Sequence, residues 1–205
     1  MKQRKVFMES KSKRIRLVSL LVGILLGVLS GCAESPPLQK GVFFNELVDF
    51  ASIQTVAVLP FQNLADDEDA GERVRDVFSG MLLATEAVYV LPPGEVHRAI
   101  SRVGVVNPAA PSIEEIKSLA GILDVDVVIT GVVREYDVVR SGTVTANMIS
   151  LSLQMIETQT GTIIWSASST RGGVTLLDRM FGGGGEPMNY ITLESVDALL
   201  DKLFQ

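Results

Sequence analysis

The chain has 205 residues with 18 basic and 24 acidic side chains, one cysteine and one histidine. A single cysteine excludes an intramolecular disulfide framework, and a single histidine leaves little for a zinc site or a Ser-His-Asp triad. The net charge of −6, with no basic run after residue 16, excludes a phosphate-neutralising surface, so no nucleic acid is expected as a partner.

The N-terminus is built differently from the rest. Lys2, Arg4, Lys5, Lys11, Lys13, Arg14 and Arg16 precede an uncharged, mainly apolar run, Leu17 to Leu29. Leu29-Ser30-Gly31-Cys32 follows, and this order is that of a secretory signal with a processing site. The run is short for a membrane span, which takes about 20 apolar residues. Residues 1–31 hold seven basic side chains and one acidic, so their removal leaves 11 against 23, a mature charge of about −12. Attraction to an anionic lipid surface is therefore not what would hold the mature chain at a membrane.

Residues 33–41 contain Ser35-Pro36-Pro37 and read as an extended tether of about nine residues, reaching roughly 30 Å at about 3.3 Å per residue. Phe43, Phe44, Leu47, Val48 and Phe50 return at near-helical spacing, which predicts a short helix packing on the domain. Thr55 to Phe61 reads as a buried strand that stops at Pro60, and Gln62 to Asp69 as a solvated loop. Asp66, Asp67, Glu68 and Asp69 lack the glycine and alternating spacing of a calcium loop and suit the positive start of the next helix. That helix is expected from Ala70 to Leu83, with Val74, Val77, Phe78, Met81 and Leu82 on one face.

Ala87 to Leu91 predicts a second strand and Pro93 a helix start, running through Val103. His97 falls on this helix without a ligand partner nearby. Ser112-Ile113-Glu114-Glu115 is a capping box that opens a helix to about Leu123. Val127 to Val133 is a β-branched strand continuing to about Tyr136, and Arg140-Ser141-Gly142 is a turn. A long alternating strand follows from Thr143. Its parity shifts near Ile149 and Ser150, which predicts a bulge or a twist there. Thr158 to Gly161 turns into a third strand, Thr162 to Ala167, with Trp165 expected in the core. Gly182 to Gly185 reads as a loop, since neither the strand before nor the Gly-Lys-Ser/Thr of a phosphate loop is present. An amphipathic helix, Leu193 to Phe204, closes the chain.

The expected order is β-α-β-α-α-β-β-β-α. It implies an α/β fold, an α+β sandwich, with a mixed sheet ending in an antiparallel meander and helices mainly on one face. Three segments follow: a signal peptide at 1–31, a cysteine with tether and packing helix at 32–52, and one domain at 53–205.

Three phrases resemble the CsgG/LpoB group of bacterial envelope lipoproteins, whose domain is akin to the N-terminal domain of TolB. They are Thr55 to Phe61 with its downstream helix, Asp126 to Gly131, and Met155 to Trp165 with its Thr-Gly turn. Leu29-Ser30-Gly31-Cys32 resembles a lipobox. That resemblance implies diacylglyceryl transfer to the Cys32 thiol, cleavage before it and acylation of the new amine. Ala33, where an aspartate marks inner-membrane retention in Gram-negative lipoproteins, then implies the periplasmic face of the outer membrane. Roles known in the group are non-enzymatic: a channel subunit for curli secretion in CsgG, activation of a peptidoglycan synthase in LpoB. The expected function is a scaffold or accessory subunit of an envelope assembly or secretion system. Its partners would be the membrane, through the lipid, and an envelope protein or further copies of itself. No catalytic residue, metal, cofactor or small-molecule substrate is expected. Ser79 and Ser101 lie in no Gly-x-Ser-x-Gly motif.

Overall fold

The structure is a computed structural model and describes residues 41–174, 180 and 185–205. Residues 1–40, where the signal segment, the lipobox with Cys32, Ala33 and the tether are expected, and Gly182 to Gly184 lie outside the described residues.

Seven strands form one mixed sheet: β1 (Val42–Phe44), β2 (Thr55–Val58), β3 (Gln62–Asn63), β4 (Tyr89–Val90), β5 (Val127–Ser141), β6 (Val144–Glu157) and β7 (Ile163–Gly172). Four helices accompany it: α1 (Ala70–Ala84), α2 (Pro93–Val103), α3 (Ile113–Leu123) and α4 (Met188–Leu203). The spatial order is β1-β7-β6-β5-β2-β4, with β3 also beside β5. β2 is parallel to β4 and to β5, whereas β5, β6 and β7 form the expected antiparallel meander.

Helices cover both faces rather than mainly one, and strand order is the reason. The chain steps from β2 to β4 through α1, then back across β2 to β5 through α2 and α3. Right-handed crossovers taken in opposite directions put their helices on opposite faces. On one face Val56, Val58, Val127, Ile129, Leu151, Leu153 and Met155 pack under α1 (Val74, Phe78, Leu82) and α4 (Ile191, Val196, Leu199). On the other, Ala57, Leu59, Val128 and Ile156 pack under α2 (Val96, Ala99, Ile100) and α3 (Ile116, Leu119). This is why β2, between two layers, shows three buried residues in a row.

The segment expected to be a packing helix at 42–50 is instead β1, a turn, and a single 3-10 turn, Phe50–Ser52, capped by the Asp49 carboxylate. β1 pairs antiparallel with β7, Phe44 opposite Trp165, so its conformation is set by a partner over a hundred residues on. The second predicted strand shrinks to Tyr89–Val90. β5 runs five residues past the expected Tyr136, making a long hairpin with β6. The bulge expected on β6 lies across from it: Val133 pairs with Leu151 and Glu135 with Ser150, leaving Arg134 of β5 as the extra residue. A second irregularity leaves Ile164 unpaired between Ile163 and Trp165, and through it both Ile164 and Trp165 bury completely.

Local signals in the sequence act as expected elsewhere. Ser112 and Glu115 close the capping box on α3. Pro93 opens α2, and Gly104, at φ 76°, ends it in the left-handed conformation that glycine adopts without strain. Among the described residues no helix is long and apolar enough to cross a membrane.

Candidate anchor and docking surfaces

The predicted site residues Leu29, Ser30, Gly31, Cys32 and Ala33 lie outside the described residues. The described chain starts at the sheet edge, where the Ser168 amide donates to the Gly41 carbonyl at 3.2 Å.

Nothing in the described domain is arranged for covalent or metal chemistry. No group of three or more His, Cys, Asp and Glu side chains is placed to hold a metal among the described residues. The Ser79 hydroxyl donates at 2.8 Å to the Arg75 carbonyl one helical turn back, an ordinary use for a serine within a helix. His97 and Ser101 are exposed on α2. Three surfaces of the described domain stand out.

The first is a groove of about 480 Å³ lined by Asp67, Arg73, Tyr136, Asp137, Val138, Met188 and Asn189. Its wall is fixed by Asn63, whose amide nitrogen donates to the Asp67 and Glu68 carbonyls at 2.7 and 3.0 Å and whose side-chain oxygen accepts from the Ala65 amide at 3.0 Å. That staple turns the chain away from β5 after Val133. Arg73 sits 3.4 Å from the carboxylates of both Asp67 and Asp69. The acids expected to favour the start of α1 thus also hold an arginine of its first turn.

The second is the sheet face beside α2 and α3, which those helices cover only around β2 and the start of β5. There Arg134 donates to the Ser152 hydroxyl, Ser152 shares a 2.8 Å hydrogen bond with Ser168, and Thr170 donates to Ser150 at 3.3 Å. A hydroxyl-lined face of this kind is the solvated side of an antiparallel meander.

The third is apolar. The Phe44 and Phe50 rings meet edge-on at 5.6 Å, and Phe50, Ile53, Leu203 and Phe204 border a cavity of about 70 Å³. Between the two phenylalanines, Leu47 is 95% exposed, and Phe204 is 49% exposed. Sequence reasoning missed this surface because it assigned Phe43 to Phe50 to a helix with its apolar side turned inward. The available signal was the aromatic terminus, Phe204, one residue past an otherwise buried helix face.

No protein-family model and no curated protein matches the chain. Among solved structures it is similar to the lipoprotein GNA1162 from Neisseria meningitidis, at 18% identity over 74% of this chain and 98% of that one, with a TM-score of 0.54. It is also similar to the PelC dodecamer from Paraburkholderia phytofirmans, at 16% identity over 79% of this chain and 94% of that one, with a TM-score of 0.51. The LpoB C-terminal domain from Escherichia coli aligns with 62% of this chain and 88% of its own at 14% identity and a TM-score of 0.46. At these identities the likeness is one of fold, and the domain has the fold of GNA1162 and of the PelC subunit.

Proposed function

We propose that the chain is a lipoprotein held through Cys32 on the periplasmic face of the outer membrane. Its domain serves there as a non-enzymatic accessory or scaffold subunit of an envelope assembly or secretion system. The observation that carries this reading is the run Leu29-Ser30-Gly31-Cys32 behind a basic and then apolar segment. It stands ahead of a domain whose fold is shared with a Neisseria lipoprotein. An acidic mature chain with contact surfaces and no assembled catalytic group fits a protein that works by docking.

Self-assembly is part of the proposal, because the PelC relative of the same fold is a dodecamer. Two narrower members of the CsgG/LpoB group remain as alternatives. A synthase activator of the LpoB type must reach the inner membrane, which a tether of about nine residues, roughly 30 Å long, does not. A CsgG-type channel subunit needs barrel strands of about 9–11 residues. The hairpin beyond the Arg134 bulge pairs only Glu135–Ser141 with Val144–Ser150, and it carries Asp137 and Arg140 on opposite faces. The other place for a hairpin, between Arg171 and Asn189, lies largely outside the described residues.

The test is palmitate labelling and membrane fractionation of the full chain and of Cys32→Ser, followed by crosslinking in intact cells. Label and membrane association lost in Cys32→Ser, with crosslinked partners or multimers recovered from the parent, is the expected result. An unlabelled parent chain sinks the anchor, and a monomer without envelope partners sinks the scaffold role.

A further inference from the structure

We infer that the apolar end of the domain formed by Phe44, Leu47, Phe50 and Phe204 lies against the lipid surface that holds the anchor. The inference rests on the anchored reading and adds to it an orientation. Exposed Phe44, Leu47 and Phe204 gathered around half-buried Phe50 form the sort of patch that marks a contact site rather than scattered surface apolarity. The Phe44 and Phe50 rings touch, Phe50 and Phe204 share the rim of one cavity, and Leu47 stands 95% exposed in the turn between the phenylalanines.

Three observations select lipid as the occupant. Cys32 lies nine residues before Gly41, and Gly41 is followed at once by β1, whose last residue is Phe44. The acyl chains therefore keep a bilayer within about 30 Å of Gly41 and about 40 Å of Phe44, and docking onto it is an intramolecular step at high effective concentration. A second copy or another protein must first be met by diffusion. Next, the chain from Gly41 to Asn63 has no lysine or arginine, and Lys202 near Phe204 donates to the Ser168 carbonyl at 2.7 Å, so this end is not built to bind phosphate groups by charge. It adheres by burial of apolar side chains, with aromatic rings at the headgroup level, as interfacial phenylalanine and leucine do. Last, the patch lies at one end of the sheet and the β5–β6 turn at the other. Phe44 pairs with Trp165 and Trp165 with Met155, eleven residues along β6 from Val144, or roughly 37 Å at about 3.4 Å per residue. With the apolar end on the lipid, the hairpin tip and the acid-lined groove face away from it, toward partners.

Lipid on Cys32 consumes its thiol, so an introduced cysteine becomes the sole free one. Full-length Leu47→Cys, Phe204→Cys and Thr143→Cys chains, purified from membranes and labelled with an environment-sensitive dye, are placed in phosphatidylcholine vesicles. Mass measurement of the N-terminal peptide reports lipidation separately. The expected result is a shift to shorter emission wavelength and quenching by lipid-borne nitroxide at positions 47 and 204, with neither at 143, and no dependence on added anionic lipid. A lipidated chain whose labels at 47 and 204 behave like that at 143 overturns the inference alone. So does a label at 47 shielded from the lipid quencher and crosslinking to a second copy. An N-terminal peptide with unmodified Cys32 overturns the anchored reading and this inference together.

Discussion

Asp126 and Thr55, 71 residues apart in sequence, lock the start of β5 to the start of β2 through each other's main chain and side chain. The Asp126 carboxylate oxygen Oδ2 accepts from the Thr55 amide and the Thr55 hydroxyl, both at 2.9 Å, and from the Gln54 amide at 2.9 Å. In return the Asp126 amide donates to the Thr55 hydroxyl oxygen at 3.0 Å. Thr158 closes the same corner, its hydroxyl reaching the Val125 and Asp126 carbonyls at 2.7 and 2.9 Å.

Burial opposes ionisation of Asp126, but the hydrogen bonds from Gln54 and Thr55 outweigh it and hold the carboxyl below its usual value. A depressed carboxyl contributes stability that is present above the unfolded value and is lost as pH falls through the folded one. Asp126→Asn keeps one acceptor oxygen for these donors and removes the charge, so it is expected to cost about 1 kcal/mol near neutral pH, the difference between charge-assisted and neutral hydrogen bonds. The loss relative to the parent should shrink as pH falls below the ordinary carboxyl value of the unfolded chain and vanish once it passes the lowered folded value. Urea midpoints at pH 7 and pH 3 check both statements. An undiminished difference at pH 3 refutes the charge argument.

Gly131 is needed for room. A Cβ built there would stand 2.7 Å from Leu153 Cδ2 and 2.7 Å from Phe61 Cδ1, both side chains buried in the same layer. Phe61 also leans on Phe78 of α1 at 6.1 Å between ring centres, so it has little freedom to retreat. Gly131→Ala is expected to destabilise by about 1–3 kcal/mol through overpacking, read as a lower denaturant midpoint at unchanged slope.

The sequence showed the repeating elements well and the pairwise ones poorly. The capping box at Ser112, the proline at the start of α2 and the β-branched run at Val127 act within a few residues, so they can be read without knowing the fold. β1 has three residues and exists only because β7 offers a partner. Phe43, Phe44, Leu47 and Phe50 fit a helical wheel as well as a strand edge, and nothing local decides between them. The parity shift in β6 was visible at Ile149 and Ser150. Which strand holds the extra residue depends on the partner, and it is Arg134. Helix placement on two faces needed the β5-β2-β4 order, which periodicity does not encode. The same limit hid the apolar end, since exposure of Leu47 and Phe204 follows from what fails to cover them.

Ser195 is fully buried on α4, and among the described residues neither its hydroxyl nor the Trp165 indole nitrogen in the same core layer has a hydrogen-bond partner. A hydroxyl without a partner is a cost that alanine removes, and alanine is also the better helix former. Ser195→Ala is expected to be neutral or to stabilise by up to about 1 kcal/mol. Thermal unfolding of the two proteins decides the sign. A loss above about 1 kcal/mol would place a buried water on the hydroxyl, because only a satisfied group costs that much to delete.

Ile113 joins the capping box of α3 to the β6–β7 turn. The Ser112 amide donates to the Glu115 carboxylate at 2.7 Å, the Glu115 amide donates to the Ser112 hydroxyl at 3.2 Å, and the Val106 amide adds a third bond at 3.3 Å. The Ser112 amide first, then the Ser112 hydroxyl and the Val106 amide, lower the Glu115 pKa, so this support is present above the usual carboxylate range and fades as pH falls through the lowered value. Ser112→Ala is expected to cost about 1 kcal/mol, the usual value of an N-cap side chain. The next residue, Ile113, packs on the turn at Gly161, where φ is 74° and a Cβ would come within 2.8 Å of Ile113 Cγ2. Gly161→Ala therefore meets both left-handed strain and a clash, and it presses on the same first helical turn that Ser112 caps. The two substitutions should be non-additive in a double-mutant cycle, by at least about 0.5 kcal/mol, since loss of the cap lets the first turn yield to the new methyl. Strict additivity of the two denaturation midpoints would show that the cap and the turn act as separate units.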